Sequence, residues 1–226
     1  MLWWFVWISV LLALGTWFFS KIQQAQEAAR ESACIGYRFG IYNALLFYHD
    51  EHGHFPPAYV IGPDGKRWHS WRALILPYLD EDLARQYRFD EPWNGPNNRK
   101  LANTFCPGAF QCPSGPDRDR TCMTNFAVVV GDDTLFPGTK TTSIPNLIDR
   151  RDPTILFVEV ADSDIHWLEP RDLTFDDLTS SFGKPHLGGY HPTGIGIARA
   201  NRSFERLPRD LPREELIRQF SRRKPD

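Results

Sequence analysis

Residues 2–53 read LWWFVWISVLLALGTWFFSKIQQAQEAARESACIGYRFGIYNALLFYHDEHG. The first eighteen, 2–19, hold no charge and no proline. A helix needs about 20 apolar residues to cross a bilayer, and this run comes close. Lys21 ends the run, and a helical period continues without interruption. Apolar residues recur at Ile22, Ala25, Ala29, Ala33, Tyr37, Ile41, Leu45 and Tyr48. Steps of three and four define one face of a helix. Ile35, Phe39, Tyr42 and Leu46 widen that face. Gly53 supplies a C-terminal cap, and Pro56 and Pro57 forbid continuation. The spacing predicts one helix with two environments: residues 1–20 form a transmembrane anchor, and residues 21–226 form a body laid against the helix's second half.

The rest of the chain bounds what that body does. Of its 226 residues, enough remain outside the anchor for one sizeable core or two small ones. A net charge of −2 argues against nucleic acid as a partner. Eighteen prolines and sixteen glycines imply long, defined loops. The apolar run is long for a cleaved secretory signal, no basic segment precedes it, and no A-x-A-like site closes it, so it reads as a retained anchor. Lys21, Arg30 and Arg38 follow it, and the positive-inside rule alone would leave the body in the cytoplasm.

Beyond the helix, residues 68–89 keep helical spacing that Pro77 bends or splits, and a short helix follows at 97–103. Residues 126–130 and 154–160 are apolar and β-branched, and read as strands. Residues 195–200 and 203–207 form a hairpin around Asn201-Arg202. Residues 212–222 close the chain as an amphipathic helix with Asp210 as its cap. Helices come first and strands later, so the fold class is α+β, a long N-terminal helix packed on an antiparallel sheet.

Candidate chemistry is sparse. Cys34, Cys106, Cys112 and Cys122 form no C-x-x-C pair, which argues against a zinc ribbon. Three of them lie in one Pro/Gly/Asp-rich loop that a disulfide would close in an oxidising compartment; all four are disulfide candidates, and three complete pairings stay open. His49, His52 and His54 gather at the helix end, where cations are favourable anyway. His186 and His191 flank a flexible Leu-Gly-Gly-Tyr loop and read first as partners of backbone groups, with a metal role, or a membrane-bound hydrolase using either one, as the lesser alternative. The acidic run offers Glu159, Asp162 and Asp164 as calcium candidates, without EF-hand spacing. There is no G-x-S-x-G elbow, no P-loop and no G-x-G-x-x-G, so the expectation is a non-enzyme with no catalytic or cofactor-binding residues.

Many short motifs point one way. They are residues 24–30 (QAQEAAR), Cys34, Tyr48-His49-Asp50, Gly53-x-Phe55-Pro56-Pro57, residues 71–79 (WRALILPYL) and residues 91–98 (EPWNGPNN). Cys112-Pro113-Ser114, Thr124-Asn125-Phe126, Thr154-Ile155-Leu156, Val158-Glu159, residues 167–173 (WLEPRDL) and His191-Pro192-x-Gly194 follow in order. Together they resemble the bacterial family called domain of unknown function 1559, also labelled solute-binding family 10, abundant in planctomycetes. The resemblance spans residues 23–216. It implies a prepilin-like N-terminus similar to type II secretion pseudopilins and type IV pilins. It also implies a body on the extracytoplasmic, periplasmic side, which overrides the charge signal. The chain departs from the pattern in three places. The family's basic leader, cleavage signal and following glutamate are replaced by Met1-Leu2-Trp3-Trp4. An Asp-Gly step has become Asp149-Arg150 in one loop and Asn201-Arg202 in the hairpin. Glycine tolerates positive φ where arginine does not, so both turns are expected to differ or be strained.

The expectation is therefore a single-pass, membrane-anchored, pseudopilin-like protein of the cell envelope with a structural or assembly role. Its expected partners are the bilayer, through residues 2–19, and other pilin-like subunits. The alternative is a membrane-tethered module binding a small solute or calcium.

Overall fold

The computed structural model describes residues 2–116, 122–143, 154–179 and 186–222. Helix α1, Leu2–His52, is continuous for 51 residues. It ends where Gly53 takes φ 77° and donates its N–H to the His49 carbonyl. Its side chains divide sharply by environment. Trp3, Leu12, Trp17 and Phe18 are exposed, and the helix has one segment long and apolar enough to cross a membrane. Cys34 is the first fully buried residue along α1, followed by Arg38, Ile41, Tyr42, Ala44 and Leu45.

The expected packing face is corrected at its N-terminal end. Ile22, Ala25, Ala29 and Ala33 are exposed. The stripe that meets the body there is Glu27, Glu31, Cys34 and Arg38, in helical steps of four, three and four. Helical periodicity was therefore right, but polar residues hold the first two turns of the contact.

A hairpin, β1 (Tyr59–Ile61) and β2 (Arg67–Ser70), follows the helix around the Gly62–Gly65 turn. Three short helices come next: α2 (Trp71–Leu74), α3 (Leu76–Leu79) and α4 (Glu81–Gln86). Pro77 sits in the first turn of α3, where its missing N–H costs nothing, so the split falls where the sequence puts it. Helix α5 spans Pro96–Thr104, and a 3₁₀ turn spans Gly108–Phe110.

The second half is β-rich. Strands β3 (Phe126–Ala127), β5 (Ile155–Ala161), β8 (Ile195–Arg199) and β9 (Phe204–Leu207) form an antiparallel sheet in that order, and β7 (His186–Leu187) pairs with the end of β5. Strands β4 (Val129–Val130) and β6 (Leu173–Thr174) make a short parallel pair, followed by α6 (Phe175–Thr179). Helix α7, Arg213–Phe220, closes the chain. Pro212, with no side-chain capping bond, precedes it in place of the expected Asp210 cap. The class is α+β, as the sequence implied.

Both faces of the sheet are covered. Phe157 and Ala198 share a core with Ile41, Tyr42 and Leu45 of α1. Val158, Val160 and Ile197 pack with Leu216 and Phe220 of α7. Tyr42 donates its hydroxyl to the Ala200 carbonyl at 2.9 Å, tying α1 to the hairpin end. In that hairpin Arg202 adopts φ 72°, the left-handed conformation anticipated where glycine is missing. The other altered turn, at Asp149-Arg150, lies outside the described residues.

Candidate functional site

Side chains alternate along a strand, so Glu159 points to the same face of β5 as Phe157, toward α1. It lies nearer the N-terminal end of α1's buried half, where Cys34 enters the body. A third element arrives through Asn125. Its Oδ1 accepts the Cys112 N–H at 2.7 Å, and its Nδ2 donates to the Val160 carbonyl at 2.9 Å. This pins the loop that carries Cys112 against β5. The disulfide Cys106–Cys122 closes that loop at its base. The fourth element is the 188–194 loop, held by Arg209, whose Nη2 donates to the carbonyls of Gly189 and His191.

These four elements bring Cys34, Cys112, Glu159 and His191 together. Their sulfur, nitrogen and carboxylate atoms all lie within 4.8 Å of one another, and all four residues are fully buried. Cys34 Sγ is 3.4 Å from Glu159 Oε1. Cys112 Sγ is 3.4 Å from His191 Nε2, which is 3.9 Å from Glu159 Oε1. The other imidazole nitrogen, His191 Nδ1, donates to Glu27 Oε1 at 2.7 Å. Ser114 Oγ donates to the same carboxylate. Arg206 binds Glu159 Oε2 through Nη1 at 3.2 Å and Glu31 through Nε at 2.8 Å. Arg38 lies alongside, 2 % exposed, donating to the carbonyls of Ile197 and Glu205. Two glycines leave room for the carboxylate. A Cβ on Gly189 would fall 1.9 Å from Glu159 Oε1, and one on Gly196 would fall 2.4 Å from Oε2.

The electrostatics follow from this packing. A hydrogen bond from Cys34 holds the Cys112 thiol down to about 4, aided by His191 and opposed by burial. The same bond, and then burial, push the Cys34 thiol up. The proton is thus favoured on Cys34 over Cys112. Burial raises the Glu159 carboxyl, as does the charge on Cys112, against Arg206 and His191. Burial alone would lower His191, but Cys112 and Glu27 outweigh it and the imidazole is raised. Glu27 is lowered despite burial, chiefly by His191 and Ser114.

Two chemistries fit such a set. Two sulfurs, an imidazole nitrogen and a carboxylate oxygen suit a borderline or soft metal ion. Cys112, His191 and Glu27 also follow the order of nucleophile, base and orienting carboxylate. Complete burial of Cys112 and His191 keeps a substrate away from that sulfur.

The sequence-predicted candidates distribute differently. Cys106 and Cys122 pair, whereas Cys34 and Cys112 are free thiols in the cluster. Of the three calcium candidates only Glu159 joins the cluster. Asp162 accepts from the Tyr190 hydroxyl, and Asp164 pairs with Arg171 on the surface. Among the described residues, no other group of three or more such side chains converges. His191 binds Cys112 and Glu27 through its ring, whereas the sequence suggested a backbone partner. The side chain of His186 lies outside the described residues. His52 and His54 stack near Tyr48, and His49 packs on Phe55.

Residues 23–159 match the family model described as a protein of unknown function (DUF1559). No curated protein and no solved structure matches the chain.

Proposed function

Because the chain belongs to that family, whose function is unknown, its role has to come from its own architecture, and we propose a single-pass, membrane-anchored, pilin-like protein of the cell envelope with a structural or assembly role and no catalytic residue. The carrying observation is α1. One uninterrupted helix presents exposed large apolar side chains along residues 3–19 and buries its far half in an α+β body. Seventeen helical residues rise about 26 Å, close to the roughly 30 Å hydrocarbon core that would cover them. Lipid is the cover that matches this length and composition. The Cys106–Cys122 disulfide favours an oxidising, extracytoplasmic side for the body, against the weaker signal of Lys21, Arg30 and Arg38.

The test is alkaline extraction of membranes from cells making the full chain, followed by protease treatment of intact spheroplasts. The expected outcome is a chain that stays in the pellet and whose body is digested from outside. A chain released by alkali, or a body protected until the membrane is opened, overturns the corresponding half of the reading.

A second reading, a tethered module for a small solute, is favoured by one feature. A groove of about 860 Å³ between α4 and α5 is lined by Arg88, Lys100, Asp90, Phe89, Phe105 and Arg85, the last already paired with Glu81 and Asp82. A ligand there raises the unfolding midpoint with concentration; a midpoint unmoved by a panel of small carboxylates and phosphates removes this reading.

A further inference from the structure

We propose that Cys34, Cys112, Glu159 and His191 bind one zinc ion, which clamps α1 to the body at the point where the helix leaves it. The inference stands on the cluster geometry and is independent of whether residues 3–19 lie in a bilayer.

Distances come first. Tetrahedral zinc with sulfur, imidazole and carboxylate ligands sets its donor atoms about 3.4–3.8 Å apart. The Cys34–Glu159, Cys112–His191 and His191–Glu159 donor pairs stand at 3.4, 3.4 and 3.9 Å. All six donor pairs lie within 4.8 Å, so an ion draws the set together by about 1 Å at most between any two donors.

The surroundings complete the design. A zinc-bound histidine usually donates its second ring N–H to a carboxylate, which fixes the tautomer. His191 does this through Nδ1 to Glu27, which leaves Nε2 directed at the cluster. Glu159 has Arg206 on Oε2, which leaves Oε1 directed at the cluster. Charge also balances. Two thiolates and Glu159 carry three negative charges, which Zn²⁺ and Arg206 together offset. Outside the ligands, Glu27 pairs with Arg30 at 3.4 Å, and the buried Arg38 stands within charge range of Glu31, which Arg206 also binds.

The donor types select the metal. Calcium and magnesium take oxygen ligands and are poorly served by two sulfurs. A closed site of four protein ligands with complete burial is the pattern of a structural zinc, not of a catalytic one with an open position. The ligands come from α1, the 106–122 loop, β5 and the 188–194 loop. The ion would therefore join the stalk helix to three separate pieces of the body.

The experiment uses full-length protein purified in detergent at neutral pH without chelator. Elemental analysis is expected to give about one zinc per chain. Exchange for Co²⁺ is expected to give visible bands of a tetrahedral ion with sulfur-to-metal charge transfer. Cys34→Ser with Cys112→Ser should abolish both, whereas Cys106→Ser with Cys122→Ser should keep the metal. Should the first pair fail to fold, Glu27→Gln decides: it keeps all four ligands and is expected to weaken zinc affinity ten- to a hundred-fold in chelator competition. A folded protein that stays metal-free after zinc exposure overturns the proposal. So does recovery of Cys34 and Cys112 as a disulfide, or stoichiometric binding of a different metal in preference to zinc.

Discussion

Replacing Gly196 by alanine places a methyl group 2.4 Å from Glu159 Oε2, 3.1 Å from Arg38 Nη1 and 3.4 Å from Arg206 Nη1. Ordinary contact requires about 3.4 Å or more, so the carboxylate has to retreat by roughly 1 Å. It has little room to do so. Glu159 is fully buried, and Gly189 is packed against its other oxygen. The retreat stretches or breaks the 3.2 Å bond from Arg206. Overpacking costs about 1–3 kcal/mol, and losing a charged hydrogen bond costs about 1.5–3 kcal/mol. The sum is a destabilisation of about 2.5–6 kcal/mol, which lowers the unfolding midpoint by roughly 5–24 °C in a body of this size. Thermal unfolding followed by near-ultraviolet circular dichroism in detergent reads this directly. Gly36→Ala is the control of opposite sign. Nothing lies within 4 Å of a Cβ there, and the helix gains about 0.5–1 kcal/mol. A Gly196→Ala protein that melts with or above the wild type would refute the placement of Glu159 beneath α1.

The buried ion pair between Arg72 and Asp172 gives a second prediction. Arg72 donates to Asp172 at 2.7 Å and to the carbonyls of Trp167, Glu169 and Arg171, while Asp172 also accepts from Trp71 and the Val128 N–H. Asp172→Asn leaves the guanidinium without its counter-charge, and urea unfolding should show a loss of about 3–5 kcal/mol; a loss under 1 kcal/mol would contradict the pair. Opening the Cys106–Cys122 disulfide by double serine substitution should cost about 3 kcal/mol, given its sequence separation of 16, measured the same way. A pH dependence follows from His69, whose imidazole is buried against the Tyr87 hydroxyl at 2.7 Å and lowered by that burial. Its folded value lies below the unfolded value of about 6.5, so its contribution is intact above that pH and is lost as pH falls toward the folded value. His166 is lowered for the same reason, so the informative quantity is the difference between wild type and His69→Gln, which should narrow on acidification and not at higher pH.

Much of the fold was legible because its signals are local. The helix carries its own period and stops at Gly53, Pro77 divides the following segment, and β5 is written in its β-branched run. The candidate site was not legible, because its ligands come from positions 34, 112, 159 and 191 and no spacing rule joins them. Each stood inside a motif of the family resemblance, but as a separate fragment. The helix face was misplaced because alanines at 25, 29 and 33 satisfy an apolar period without committing to burial. Running the buried stripe back from Leu45 through Ile41 lands on Arg38, Cys34, Glu31 and Glu27. That was the available signal: charged residues on the extension of a core face, which a search for apolar periodicity passes over. Arg202 is the reverse case: the family resemblance put a glycine step there, the turn was expected to differ or be strained, and Arg202 takes the left-handed backbone at φ 72°.

The claim that organises the rest is that residues 3–19 stay on the chain as its anchor and that the body lies on the oxidising side of the membrane. The most direct measurement is the intact mass of the chain extracted from native membranes without reductant. The expected mass retains the apolar segment and is lighter than the fully reduced chain by two hydrogens, the signature of Cys106–Cys122 alone. A mass lacking the segment, or one with every thiol hydrogen present, would contradict it.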